Sequence, residues 1–193
     1  MNDIIFKKAF KIKVKRKYTG KILPDRTYKA PKARKLPRSM TTPSKAFVAA
    51  IKSSDDTGTD RYAKRVEAKL INKKVGFGVF ARKNISKGII GIYTGKLKKH
   101  KGASYSRYLF CFRTKYLKDV VIDGQNAGNW TTLMNHSSYT SKARNIEVKE
   151  YFYEGLPYIL FKAIKPIKKG DQLLYDYGDD YWEPLGIKPE SLK

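Results

Sequence analysis

The chain has 193 residues, 41% of them hydrophobic, and carries 42 Lys and Arg against 17 Asp and Glu, a formal net charge of +25. Such a length fits one domain with appendages and a real core, and no run approaches the roughly 20 apolar residues of a membrane span. Charge interrupts "MNDIIFKKAF" too early for a secretory leader, and a single cysteine, Cys111, permits neither an internal disulfide nor a thiolate zinc cluster; a soluble protein of a reducing compartment is expected.

In chain order, residues 1–60 read as a basic, flexible N-terminal arm and linker. Residues 1–75 hold 22 Lys and Arg against 6 Asp and Glu, whereas 76–193 hold 20 against 11. Cations cluster in "KKAFKIKVKRKYTGK" and "YKAPKARKLPRS", and Pro24, Pro31, Pro37 and Pro43 break any long helix. The charge suits nuclear import, DNA contact or simply a solvated tail. "SSDDTGTD" (53–60) has the composition of an exposed, turn-rich linker.

A second composition begins at residue 61. Short β-rich runs such as "RYLFCF", "VVIDG", "ARNIEVKEYF", "LPYILFKAI" and "DQLLYDY" follow one another, punctuated by Gly76, Gly78, Gly88, Gly91 and Gly95. Long 3.6-residue periodicity is missing, although "AGNWTTLMNHS" could hold a short helix. The expectation is a mainly β domain with few short helices over 61–183 and a C-terminal tail or lid over 184–193.

Among the motifs, "GFGVFA" (Gly76–Ala81) matches GxGxxA, but "RKNISKGIIG" follows it rather than a helix, and "KKH" stands where an acidic residue is needed. "GIYTGK" is no phosphate-binding loop, since Leu97 replaces Ser or Thr and Ile90 the first Gly. His136 in "LMNHSS" has no His or Cys at metal spacing, so no metal is expected. In "DQLLYDYGDDYW" (171–182), Tyr175 and Tyr177 alternate about Asp176 and would face the same way on a strand.

Taken in order, "GFGVFARKNISKG", "GIYTG", "VIDG", "GNWTTLMNHSS", "ARNIEV" and "AIKPIKKGDQLLYDYGDDYW" resemble the SET domain, the protein lysine methyltransferase fold. The "LLYDYGD" wording is similar to the subgroup that mono-methylates a histone tail. The resemblance implies small β-sheets with a C-terminal pseudoknot through the "NHS" region, S-adenosylmethionine on one face, a substrate peptide on the other, and a narrow channel between. Carried over by position, Tyr177 is the catalytic tyrosine and Tyr93 places its hydroxyl by the substrate amine. Tyr175 limits the reaction chiefly to one methyl, because its hydroxyl can hold a water where a further methyl would sit. Gly76, Phe77, Gly78, Asn135 and His136 line the cofactor, and Trp182 packs on its adenine.

The implied chemistry suits these residue types. A free lysine has a pKa of about 10.4, so presenting it neutral near pH 8 costs roughly 3 kcal/mol. An apolar channel and a cationic sulfonium both lower that pKa, and tyrosine packs on the lysine stem while its hydroxyl orients the amine. The implied partner is a histone tail in chromatin, within the nucleus, with nucleosomal DNA against the basic arm. A non-histone target such as a ribosomal protein, or a binding module without catalysis, stays open. Two departures stand out: Thr132, Leu133 and Met134 replace the Arg-Phe-Ile type of run before Asn-His, removing a charged contact near the cofactor. Zinc-binding flanking modules have no ligands here, so the lid over the groove falls to "DDYWEPLGI".

Overall fold

The computed structural model describes residues 4–32, 35–54, 56, 58, 61–100, 106–112 and 114–183. The N-terminal part contains helix α1 (Ile4–Phe10), strands β1 (Lys17–Tyr18) and β2 (Ile22–Pro24), and helices α2 (Arg38–Thr41) and α3 (Lys45–Ser53). Then come β3 (Val66–Asn72), β4 (Gly76–Ala81), β5 (Gly88–Tyr93), β6 (Gly95–Lys99), β7 (Leu109–Cys111), β8 (Val120–Asp123) and β9 (Ala127–Gly128). A 3₁₀ turn over Trp130–Leu133 leads to β10 (Asn135–His136), β11 (Ile146–Tyr153), β12 (Leu156–Ala163), β13 (Leu174–Tyr175) and α4 (Asp179–Trp182). The short turn sits where a short helix was anticipated.

The strands form small sheets, as expected for this mainly β chain: β2-β6-β8-β7, β11-β12-β5, and the pairs β3-β4, β1-β9 and β10-β13. Local chemistry fixes several of them. The β11–β12 hairpin turns on Glu154 and Gly155, at φ 49° and 78°, the left-handed pair that a two-residue hairpin turn needs. Pro24 is tolerated because β2 is an edge strand. Trp130, Phe161, Ile92, Ile159, Leu97 and Ile122 are buried where the sheets converge.

The flexible arm is the expectation the structure corrects. From residue 11 to 18, Ile12, Val14, Arg16 and Tyr18 are buried while Lys11, Lys13, Lys15 and Lys17 are exposed. This is the period-2 pattern of a half-buried extended segment: the lysines crowd the solvent side and conceal an apolar side. Tyr18 closes an aromatic cluster with Phe6 and Phe10, with ring centroids 5.1 and 5.9 Å away. β1 adds in parallel to β9, and β2 to β6. The Ser44 hydroxyl caps α3 by accepting from the Phe47 backbone N–H at 3.2 Å, and the Phe47 ring packs 4.5 Å from that of Tyr151. Even the expected linker is anchored at its described residues: Asp56 accepts from the Gly20 N–H at 2.7 Å, and Gly58 is buried.

The C-terminal segment is held from two sides. β13 pairs in parallel with β10, aligning Asn135 with Leu174 and His136 with Tyr175. Opposite them, the Leu174 N–H donates to Asn145 Oδ1 at 2.9 Å, and Asn145 Nδ2 donates to the Gln172 carbonyl at 2.8 Å. Residues 172–175 therefore lie between the two ends of the loop 137–145, the threaded arrangement that the SET resemblance implies.

Candidate active site

A pocket opens between β7, β13 and α4, and among its lining residues are Tyr93, Phe110, Thr132, Tyr175, Tyr177 and Tyr181. β5 delivers Tyr93 and β13 delivers Tyr175, with Tyr177 two residues on. Only Tyr175 of the pair expected on one strand lies in β13, and the ring centroids of Tyr175 and Tyr177 are 4.8 Å apart. Tyr175 also packs on Phe161 at 4.9 Å and stacks on Phe110 at 6.2 Å.

The two other tyrosines share one feature. The Tyr93 hydroxyl donates to the Tyr108 carbonyl at 2.6 Å, and the Tyr177 hydroxyl donates to the Met134 carbonyl at 2.6 Å. Each hydroxyl thereby spends its single proton on a fixed backbone acceptor, leaving oxygen lone pairs for the pocket. Burial pushes both pKa values well above the ordinary 10.0. Both groups therefore stay neutral at physiological pH, and neither serves as a base.

Behind Tyr177 lies a second group of residues, the crevice side, packed around Gly78, Asn135 and His136. Gly78 passes so close to its neighbours that an added Cβ would sit 2.7 Å from Gln172 Nε2 and 3.1 Å from Asn135 Nδ2. Asn135 Nδ2 donates to the Phe77 carbonyl at 3.2 Å. His136 Nδ1 accepts from the Tyr177 N–H at 3.2 Å, which puts the ring proton of the neutral imidazole on Nε2. Burial lowers the His136 pKa, against an opposing pull from Asp176, whose Oδ1 is 3.7 Å away. Trp182 packs edge-on against His136 at 4.9 Å and stacks on Tyr177 at 5.7 Å. His136 Nε2, Gln172 Nε2 and Trp182 Nε1 are all buried with no hydrogen-bond partner among the described residues. Buried donors rarely go unpaired in native proteins, so these three, on residues that pack around Asn135 and His136, suit a ligand that offers acceptors.

Residues 76–178 match the SET domain family. The chain belongs to that family. Over 119 residues it is 32% identical to N-lysine methyltransferase KMT5A-A of Danio rerio, covering 54% of this chain and 33% of the relative. Over 114 residues it is 31% identical to the histone-lysine N-methyltransferase Su(var)3-9 of Drosophila pseudoobscura pseudoobscura, covering 53% and 18%. The chain thus spans a third or less of these relatives. Among solved structures it resembles the ATXR5 SET domain in complex with histone H3 di-methylated on R26, with a TM-score of 0.64 and 18% identity over 86% of this chain and 82% of that one. At that identity the likeness speaks for the fold. Chaetomium thermophilum PRC2 in an autoinhibited conformation, bound to S-adenosylmethionine, aligns at 27% identity and a TM-score of 0.50, over 62% of this chain and 16% of that one.

The structure puts Tyr93, Tyr175 and Tyr177 in the lining of the pocket, and it joins Phe77 and Gly78 to Asn135 and His136 to Trp182; Gly76 begins β4. Sequence reasoning missed Gln172, Phe110 and Arg16, and placed Thr132 near the cofactor, whereas it lines the pocket. Tyr108, anticipated only as a groove residue, supplies the carbonyl that holds Tyr93. Tyr105, most of the "KKHKGAS" loop and residues 184–193 of the expected lid lie outside the described residues.

Proposed function

We propose that the chain is an S-adenosylmethionine-dependent protein-lysine N-methyltransferase that acts chiefly as a mono-methylating enzyme on a histone tail. The observation that carries this reading is the pair of neutral hydroxyls, Tyr93 and Tyr177, each anchored on a backbone carbonyl. An unprotonated lysine offers two N–H donors and one lone pair. Two fixed oxygen acceptors take the two N–H groups, and the lone pair is left pointing along the channel. A mono-methylated amine has one N–H fewer for the same two acceptors. Its methyl must also find room against Tyr175, which Phe110, Phe161 and Tyr177 hem in. Both effects favour stopping after one transfer.

S-adenosylmethionine would supply the methyl group as a sulfonium. Gly76, Phe77, Gly78, Asn135, His136, Gln172 and Trp182 would hold it: the glycines let backbone approach closely, and the unpaired donors on His136, Gln172 and Trp182 suit its carboxylate and purine acceptors. His136 binds neutral, its Nδ1 occupied by the Tyr177 N–H, so crevice and channel are tied through one backbone bond.

A histone target is supported by the histone-lysine methyltransferases among the relatives and by histone H3 in the ATXR5 complex. The alternating exposed face of Lys11, Lys13, Lys15 and Lys17 would give nucleosomal DNA a basic strip to contact, in keeping with action at chromatin. The catalytic unit proposed is residues 61–183 together with the N-terminal segment packed on it. Purified protein with labelled S-adenosylmethionine and core histones should transfer label to a histone, with mono-methyl-lysine the main product by mass spectrometry. Label on ribosomal proteins alone would move the target, and cofactor binding without transfer to any substrate would leave a binding module.

A further inference from the structure

Arg16 is the outlier of the N-terminal segment. Lys11, Lys13, Lys15 and Lys17 face solvent, whereas Arg16 is 8% exposed and lies beneath the pocket. Its guanidinium donates from Nη1 to Thr132 Oγ1 at 3.0 Å and to the Gly124 carbonyl at 3.3 Å, and it lies 3.9 Å over the Tyr108 ring centre. No carboxylate pairs with it among the described residues. A buried cation without a counter-charge is costly, and the Gly124 carbonyl, the Thr132 hydroxyl and the Tyr108 ring offset only part of that cost.

The groups it touches form the near wall of the channel. Thr132 lines the pocket. The Tyr108 ring lies under the guanidinium while its carbonyl takes the Tyr93 proton. Gly124 has no room for a side chain, since a Cβ would fall 2.8 Å from the Tyr93 oxygen and 2.7 Å from Thr132 Cγ2. Residue 16 lies outside the span that matches the family, 76–178.

We propose that Arg16 is a positioning residue of the methyl-transfer site, fixing the wall behind Tyr93 and supplying a permanent positive charge that drives the substrate lysine toward its neutral, reactive form; this rests on the methyltransferase reading above. A like charge nearby destabilises an ammonium and not an amine, and a low-dielectric setting strengthens the effect. The same field reaches Tyr93, where burial raises the hydroxyl pKa and Arg16 works against it.

Other groups facing the channel do less. Burial keeps Tyr93, Tyr177 and Tyr181 neutral, and raises the Cys111 pKa, with Asp180 adding to it. Tyr175 is buried in the wall. Arg107 and Asp180 have opposite signs and sit exposed at the rim, where water screens them. Asp123, beside Tyr93, is paired with Lys98 at 2.7 Å. Among the described residues Arg16 is therefore the buried charge of the wall that has no carboxylate partner.

The test is the pH dependence of kcat at saturating histone peptide and cofactor, for the native chain, Arg16→Lys, Arg16→Gln and Arg16→Met, with cofactor binding by calorimetry as the check on folding. Two neutral variants are included so that one misfolded protein does not decide the matter. The acid limb of the kcat profile reports the bound lysine losing its proton. Removing the charge should raise that pKa, moving the limb about one pH unit upward and lowering kcat about tenfold below it. Peptide KM should stay level or fall, because the bound ammonium is no longer repelled. Arg16→Lys should restore the native limb. An unmoved limb in folded neutral variants, or a loss of kcat equal at every pH, would overturn the role while leaving the methyltransferase reading intact. A native chain that transfers no methyl to histones at any pH would overturn both.

Discussion

On the channel side of Tyr177, the hydroxyls of Tyr93 and Tyr177 already have their protons placed on backbone carbonyls at 2.6 Å. On the crevice side, His136 Nε2, Gln172 Nε2 and Trp182 Nε1 are buried with no partner among the described residues. One wall has its hydroxyl protons satisfied within the protein; the other holds donors with no partner among the described residues. The difference matches what each side is proposed to do. Orienting a small amine works best with groups that need not reorganise, whereas unpaired buried donors, each costing about 1–3 kcal/mol, lend their penalty to the affinity for a ligand that satisfies them.

The comparison can be broken first at its hinge. Tyr177→Phe removes the pre-placed oxygen but leaves the backbone N–H that holds His136. Labelled-methyl assays should show kcat down by about 10²–10³, with the calorimetric Kd for S-adenosylmethionine changed by less than about threefold. A parallel loss of cofactor affinity would mean the two sides are not separable. Next, the waiting donors predict strong ligand stabilisation. At a hundred times its Kd, S-adenosylmethionine should add about 2.7 kcal/mol, a rise in Tm of roughly 5–10 °C by calorimetry. An unmoved Tm would leave the orphan donors without their proposed ligand.

A smaller effect comes from Gly78→Ala, whose methyl would meet Gln172 Nε2 and Ile71 Cδ1, each at 2.7 Å. Overpacking there should weaken cofactor binding about tenfold and destabilise the protein by roughly 1–3 kcal/mol, with kcat at saturating cofactor near native. His136 sharpens the comparison through pH. Its native pKa lies below the ordinary 6.5 because burial disfavours the cation. Below about pH 6.5 the unfolded chain therefore binds more protons than the native one, and stability falls as pH falls toward the native pKa. His136→Gln should flatten that slope in denaturant titrations run from pH 7.5 to 5. Smallest in rate is Tyr175→Phe: turnover should stay within a few fold, while mass spectrometry shows di-methylated product rising.

How much of this was legible beforehand varies along the chain. Tyr93, Asn135, His136 and Tyr177 sit in short motifs whose order along the chain suffices to identify them, and the β character of 61–183 follows from its glycine-punctuated apolar runs. The N-terminal segment was misread as a flexible arm because its cations dominate the composition, although Ile12, Val14 and Tyr18 alternate with Lys13, Lys15 and Lys17 in plain view. A period-2 count over residues 11–18 would have found the buried face. Nothing comparable announces Gln172, which reaches the crevice only because β13 is threaded beside β10.

The sequence by itself determined the residue types at the site, the strand-rich composition and the family to which 76–178 belongs, since these depend on local spacing and side-chain chemistry. Tertiary structure alone decided which carbonyls take the tyrosine protons and, among the described residues, which donors are left unpaired and which Lys or Arg is buried. Arg16 donates to Thr132, 116 positions away, and Asn145 receives Leu174 across 29. Hydrogen-bond satisfaction depends on which groups close packing brings together, and packing joins residues with no regard to their distance along the chain.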